Sequence, residues 1–266
     1  ISLVFLKDVR ELSRPKVDAL SLVLSTVGFG GLVLGLSLGG DSQWKGIEGP
    51  AAIIIGLLAI GFFAHRQIRH DHPMLDIRSF RVPTFTLSTV VIFINNAVMM
   101  GATLLLPMYL QDAKGTTVLA AGLLMLPGGL VNGVMSAISG RISDVVNPRV
   151  LIRLGLAASV VATALLSVLD ADSPLFLAVV AHCVVLIGIP LTMTPTQTLG
   201  LRSLPPVLSS DGSTIISTLQ QIGAATGTAL GASLLAAGML AASGDAAAAV
   251  ATGTRWGFLF CMGCAI

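Results

Sequence analysis

The sequence predicts an all-α, polytopic membrane protein, on three observations. Charged residues make up 11% of the 266-residue chain, against roughly 25% in soluble proteins. Hydrophobic residues make up 54% and mean hydropathy is +0.91, so the chain has too few charges to cover a soluble fold of this size. The apolar residues also gather into eight segments, most of them near the ~20 residues that a spanning helix needs. Disorder requires the opposite composition, low hydrophobicity with high charge. A soluble bundle would show polar faces at a 3.6-residue period, and spanning strands would alternate over ~10 residues. Neither pattern is present.

The first segment, Val17–Gly39, carries the row Gly31, Gly35 and Gly39 with no matching polar face, which predicts a packing seam. The second, Ile47–Ala64, is short. Thr84–Leu110, Thr117–Ser139, Val150–Leu169, Pro174–Thr196 and Gly212–Leu240 follow, and an eighth run starts at Arg255. In Pro174–Thr196, Pro190 and Pro195 should kink or end the helix, leaving carbonyls that a neighbouring helix or water must satisfy. The chain opens at Ile1 without a signal-like region and stops inside the run Trp256–Ile266. Both ends read as cut, so a longer polytopic protein is expected.

Lys and Arg in alternate loops set the orientation. The loops 1–16, 65–83, 140–149 and 197–211, with Arg153 just inside the next helix, hold twelve: Lys7, Arg10, Arg14, Lys16, Arg66, Arg69, Arg78, Arg81, Arg141, Arg149, Arg153 and Arg202. The other loops, with Arg255 at their edge, hold three: Lys45, Lys114 and Arg255. This bias places residues 1–16 on the cytoplasmic side. The link at 65–81 mixes bases with Met74, Leu75, Ile77 and Phe80. It reads either as a short helix lying in the membrane interface or as an ordered polar loop. Its irregularly spaced His65, His70 and His72 do not suggest a metal site.

Several polar residues fall at membrane depth, where an unpartnered polar group is costly. At about 100° per residue, Thr214, Ser217, Thr218, Gln221, Ala225 and Thr228 share one helix face, with Gly223, Gly227 and Gly231 on the opposite side. The glycine row permits close backbone approach to a neighbouring helix. The polar row either lines a cavity, or bonds its own backbone while Gln221 reaches across a helix pair. Asn95 and Asn96, with Met99, Met100 and Thr103, and Asn132 beside Met125, Gly128 and Ser136, suit a cavity for partly polar, partly greasy ligands. They are equally consistent with interhelical hydrogen bonding. His182, roughly 12 Å into its helix, reads as a proton relay or ligand contact, or as a neutral histidine bonded to a carbonyl.

Asp18, Asp144 and Asp211 sit at segment ends, and no Asp, Glu, Lys or Arg lies deep in any of these segments. A buried carboxylate for proton coupling would therefore lie outside this chain. The same absence, with no paired Asp, GxSxG or HExxH, argues against an intramembrane enzyme and a metal site. Cys183, Cys261 and Cys264 offer neither a disulfide framework nor zinc spacing. No cofactor is implied, and a net charge of +2 does not suggest nucleic acid.

GRISDVVNPR at 140–149 resembles the loop motif of the major facilitator superfamily. PMYLQ at 107–111, AGLLMLPGGL at 121–130, HPMLDIRSF at 72–80 and QQIGAATGTALG at 220–231 are similar to segments of that family's fourteen-helix drug:proton antiporter branch. The resemblance covers nearly the whole chain. It implies a cytoplasmic segment (1–16), a linking helix pair (17–64), an interfacial linker (65–83) and the C-terminal six-helix bundle (84–266), its last helix incomplete. The N-terminal six-helix half would be absent. It further implies that Gly140, Asp144 and Arg149 belong to the gating motif, with Val145 standing where a basic residue is common. The implied activity is proton-coupled multidrug efflux by alternating access, at a plasma (inner) membrane, with antibiotic resistance as its readout. The implied partners are a small amphipathic substrate, protons, the lipid bilayer and the N-terminal half. Asn95, Asn96, Met99, Asn132, His182 and Gln221 are the expected substrate-binding residues. Export of a metabolite or lipid, and a non-transporting membrane scaffold, remain as alternatives.

Overall fold

The computed structural model describes residues 19–39, 46–69, 76–143, 145–242 and 246–265. They form eight α-helices: α1 (Ala19–Gly39), α2 (Glu48–Arg69), α3 (Pro83–Met108), α4 (Val118–Ser143), α5 (Pro148–Ser167), α6 (Leu175–Arg202), α7 (Ser209–Ala241) and α8 (Ala246–Ala265). Short 3-10 turns cover Ile77–Arg81 and Pro206–Leu208, and a π turn covers Tyr109–Ala113. No strand occurs among the described residues. Six helices, α2 to α7, are long and apolar enough to cross a membrane. The chain is an all-α, multi-pass membrane protein.

The helix boundaries depart from the sequence expectation in several places, among them α4, which runs past Ser139 to Ser143. The second helix does not stop at Ala64 but runs to Arg69, where the buried Gln67 donates from Nε2 to Ser21 Oγ at 3.0 Å. The chain at 111–113 is not loop, because the π turn carries α3 on past Pro107. Pro190 and Pro195 do not end α6, which continues to Arg202. The last helix begins at Ala246, nine residues before Arg255. Its opening run is mostly Ala, the strongest helix former, but small residues and Arg255 separate it from the large apolar side chains that begin at Trp256.

Glycines set how closely these helices approach. A Cβ on Gly31 would lie 3.1 Å from both the Ala52 carbonyl oxygen and Gly56 Cα, so α1 and α2 touch backbone to backbone. Gly31 and Gly35 form the packing seam that their spacing predicts, a Cβ on Gly35 lying 2.8 Å from the Gly49 carbonyl oxygen, while the surroundings of Gly39 lie outside what is described. A second seam joins α5 to α6, where a Cβ on Gly188 would lie 2.6 Å from the Gly155 carbonyl oxygen. Central to the bundle, α3 packs against α6, α7 and α8. Its inner face feeds two apolar clusters. Leu105, Leu106 and Tyr109 meet Leu166, Val185 and Phe258, while Phe85 and Ile92 meet Leu204, Ile215 and Ile216. By contrast α4 exposes Leu119, Leu123, Leu126, Leu130 and Val134, as a helix facing lipid should.

The two ends of the bundle match the alternation used for the charge count. At one end, Tyr109 donates from Oη to the Asp170 carbonyl at 2.7 Å and Lys114 donates from Nζ to that of Ala171 at 2.5 Å. Arg255 lines a hollow there with Asp170 and Asp172. The opposite end gathers Phe80, Phe85, Leu204 and Gly212, beside the basic loops.

Candidate substrate cavity and gate

The expected polar residues sit in three different settings. The first is the α4–α6 seam. Pro190 has no N–H, so the Leu186 carbonyl four residues earlier lacks its helical donor. Asn132 supplies the replacement, donating from Nδ2 to that oxygen at 3.2 Å. One turn further along, Ser139 donates to the Pro190 carbonyl at 2.8 Å. His182 lies on the same seam, 3% exposed. Its ring is seated on Gly128, where a Cβ would come within 3.0 Å of Nε2. His182 Nδ1 is buried without a hydrogen-bond partner among the described residues.

The second setting is the inner face of α3. Asn96 donates from Nδ2 to its own Ile92 carbonyl at 2.9 Å and lies 3.6 Å from Met193 Sδ on α6. Asn95, 4% exposed, points between α5, α6 and α8 into a small cavity shared with Ser159 and Ile189. Its Oδ1 has no hydrogen-bond partner among the described residues. Met99 is half-buried against the apolar cluster around Leu105.

The third is α7, whose two sides differ sharply. On one side Gly223 and Gly227 are buried, and Cβ atoms there would fall on the carbonyls of Phe93 and Ala97 in α3. Gly231, next in the row, has only ordinary contacts, the nearest at 3.6 Å from Gly101 Cα. On the other side Ser213, Thr214, Ser217, Thr218 and Gln221 line an open groove of about 410 Å³. Thr214, Thr218 and Thr228 spend their hydroxyl hydrogens on their own helix carbonyls at 3.2, 2.9 and 2.9 Å. Gln221 makes no side-chain hydrogen bond among the described residues, so its amide, with the equally unspent hydroxyls of Ser213 and Ser217, leaves donors and acceptors open on this face.

Gln221 and Asn95 thus face different spaces, one an outward groove and the other the interior of the bundle. Ser213 and Met193 were not singled out from sequence. Ser213 precedes the helical polar row, and Met193 acquires its role only by packing against Asn96.

At the loop motif, Asn147 caps α5, its Oδ1 accepting from the Arg149 backbone N–H at 3.0 Å. Arg149 is exposed. A Cβ on Gly140 would meet no atom of the described residues within 4 Å, so among them the glycine relieves no close approach. Asp144 lies outside the described residues.

The family profile of the Major Facilitator Superfamily matches residues 16–228. The chain is 40% identical over 237 residues to "Lincomycin resistance protein LmrB" of Listeria monocytogenes, covering 89% of this chain and 50% of that protein. It is 37% identical over 238 residues to the Bacillus subtilis protein of the same name, with the same shares covered. "Multidrug export protein EmrB" of Escherichia coli K12 is 29% identical over 140 residues, 52% of this chain and 27% of that protein. The chain spans about half the length of the lincomycin-resistance relatives that it matches. With its multi-pass helical bundle, its loop motif and a profile match over most of its length, this chain belongs to the major facilitator superfamily, a family of membrane transporters rather than of enzymes.

Proposed function

We propose that this chain forms half of a proton-coupled exporter of amphipathic, drug-like compounds, working by alternating access. The observation that carries the reading is the division of α7. Its glycine side is seated on the backbone of α3, while its polar side, with the unpartnered amide of Gln221, opens outward. Such a face turned to lipid would leave polar groups unsatisfied. Against a second helical half it lines a water-filled cavity at the interface between halves, where transporters of this kind place their substrate. In this reading α1 and α2 are the linking pair, and α3 to α8 are the C-terminal bundle. The basic loops are cytoplasmic and the membrane is the plasma (inner) membrane.

Gln221 contacts substrate directly from α7. Asn95, Asn96, Met99, Asn132 and His182 act from α3, α4 and α6, and the proton carboxylates lie on the other half. Gly140, Asp144 and Arg149 serve the gate. The open space over Gly140 and the exposed side chain of Arg149 leave both free to meet helix ends of that half.

The test uses the complete protein in inverted vesicles with a fluorescent cationic dye and an imposed pH gradient, with lincomycin, named in two relatives, as competitor. Dye uptake should collapse with the gradient. It should fall about two- to tenfold in Gln221→Ala, the range for losing one hydrogen bond. Gradient-insensitive uptake that Gln221→Ala leaves unchanged would refute the proposal.

A further inference from the structure

We propose that the hollow between α1, α2, the Ile77–Arg81 turn and α7 is a lipid site. It would hold one acyl chain of an anionic phospholipid, whose headgroup phosphate is bound by Arg81. The hollow measures about 420 Å³ and its walls are mainly Phe29, Ile60, Phe63, Phe80, Ile215 and Leu219. Hydroxyls also reach it, but they have nothing left to donate. Ser25 bonds the Leu22 carbonyl at 2.9 Å, and Thr214 and Thr218 bond carbonyls of α7. A polar solute would thus find no free donor there, whereas hydrocarbon loses nothing and removes apolar surface from water.

Charge identifies the headgroup. Phe80 and Ile77 line the hollow, and the same turn presents Arg78 and Arg81, both exposed. Arg78 lies 3.9 Å from Asp76, while Arg81 has no ion-pair partner among the described residues. An exposed, unpaired guanidinium one residue after Phe80, which lines the hollow, at the bundle end where basic loops gather, matches a phosphate with a hydrocarbon tail. Four elements of the chain line this half-open site, so the lipid would meet protein on several sides rather than only on one, as in the surrounding annulus. It also backs the wall of α7 whose other side forms the polar groove, since Thr214 and Thr218 touch both spaces. An acyl chain seated there fixes the α1–α2 pair against α7.

The experiment places the complete protein in nanodiscs with phosphatidylglycerol carrying a photoactivatable diazirine on its acyl chain, and maps labelled peptides by mass spectrometry. Phe63 and Ile215 should be labelled. Ala64→Trp, which fills the hollow, should lower that labelling about tenfold, the effect of displacing roughly two buried methylenes. Arg81→Gln should lower it about fivefold for phosphatidylglycerol and leave the phosphatidylcholine analogue unchanged. Leu123→Trp, on the lipid-facing side of α4, should change neither. Ala64→Leu fills less space and serves if the Trp variant loses its native elution volume, while Arg81→Gln touches no packing. Labelling of Phe63 and Ile215 that survives filling of the hollow in folded protein would overturn the site. Equal labelling by both lipids, indifferent to Arg81→Gln, would overturn the headgroup assignment.

Discussion

The row Gly223, Gly227 and Gly231 yields a prediction that spacing alone does not. All three glycines lie on one side of α7 and all are buried, so a motif reading gives them equal weight. The contacts do not. A methyl group on Gly227 would fall on the peptide of Ala97, with its carbonyl carbon and Cα both at 2.6 Å, and backbone cannot rotate aside as a side chain can. Gly227→Ala therefore forces α3 and α7 apart over a stretch that also includes Gly101, where a Cβ would lie 3.3 Å from the Gly227 carbonyl oxygen. Overpacking of this kind costs about 1–3 kcal/mol, and the upper end is expected here because the obstacle is main chain. Gly231→Ala adds a methyl at 3.6–3.7 Å from Gly101, Leu104 and Leu105, which is ordinary van der Waals contact. It should be neutral or stabilising by up to about 1 kcal/mol through helix propensity. Denaturant titration of the complete protein in mixed micelles, followed by tryptophan fluorescence, measures both variants. Equal destabilisation by Gly227→Ala and Gly231→Ala, or a larger effect at Gly231, would refute the argument that main-chain contact sets the cost.

Asn132→Ala should destabilise by about 1–3 kcal/mol by leaving the Leu186 carbonyl without a donor. The loss should shrink to a few tenths in a Pro190→Ala background, where a backbone N–H can replace the amide; a double-mutant cycle in the same titration measures the coupling. Asp170 is held below its ordinary value of 3.8, chiefly by the Ser173 hydroxyl, which donates to its Oδ1 at 2.7 Å. With the folded value depressed, this contribution is present above the unfolded value and is lost as pH falls through the folded one. Ser173→Ala should therefore shift the Asp170 titration upward toward 3.8, read by carboxyl-carbon NMR of aspartate-labelled protein, with the lost stability seen at neutral pH and vanishing in acid, where Asp170 is protonated in both states.

How far the sequence was legible depended on whether a feature was carried by one helix or by two. Apolar runs belong to single helices, so seven of the eight could be marked closely. The eighth was half missed because its first turns are mostly Ala and are followed by Thr252, Gly253, Thr254 and Arg255, which break the apolar run. Glycine rows on α1 and α7 show themselves by their four-residue spacing, whereas Gly155 and Gly188 stand alone on separate helices and become a seam only when α5 meets α6. Gln67 looked like part of a polar link because its partner, Ser21, lies 46 residues away.

The same distinction governs the candidate site. A polar residue at membrane depth announces that it needs a partner without saying which. For Asn132 the partner follows from register, since Pro190 strips the Leu186 carbonyl and parallel packing of α4 on α6 brings the amide to it. For Asn96 it is the residue's own helix. These amides have a structural reason to be where they are, whatever else they contact. Gln221 has none within the described residues: it is exposed on a helix whose other side is locked to α3, and its amide is unspent. Helix packing therefore accounts for Asn132 and Asn96 but not for Gln221. That makes Gln221 the position where substitution separates a cavity from a packing seam, since its loss should leave stability within about 0.5 kcal/mol while lowering transport.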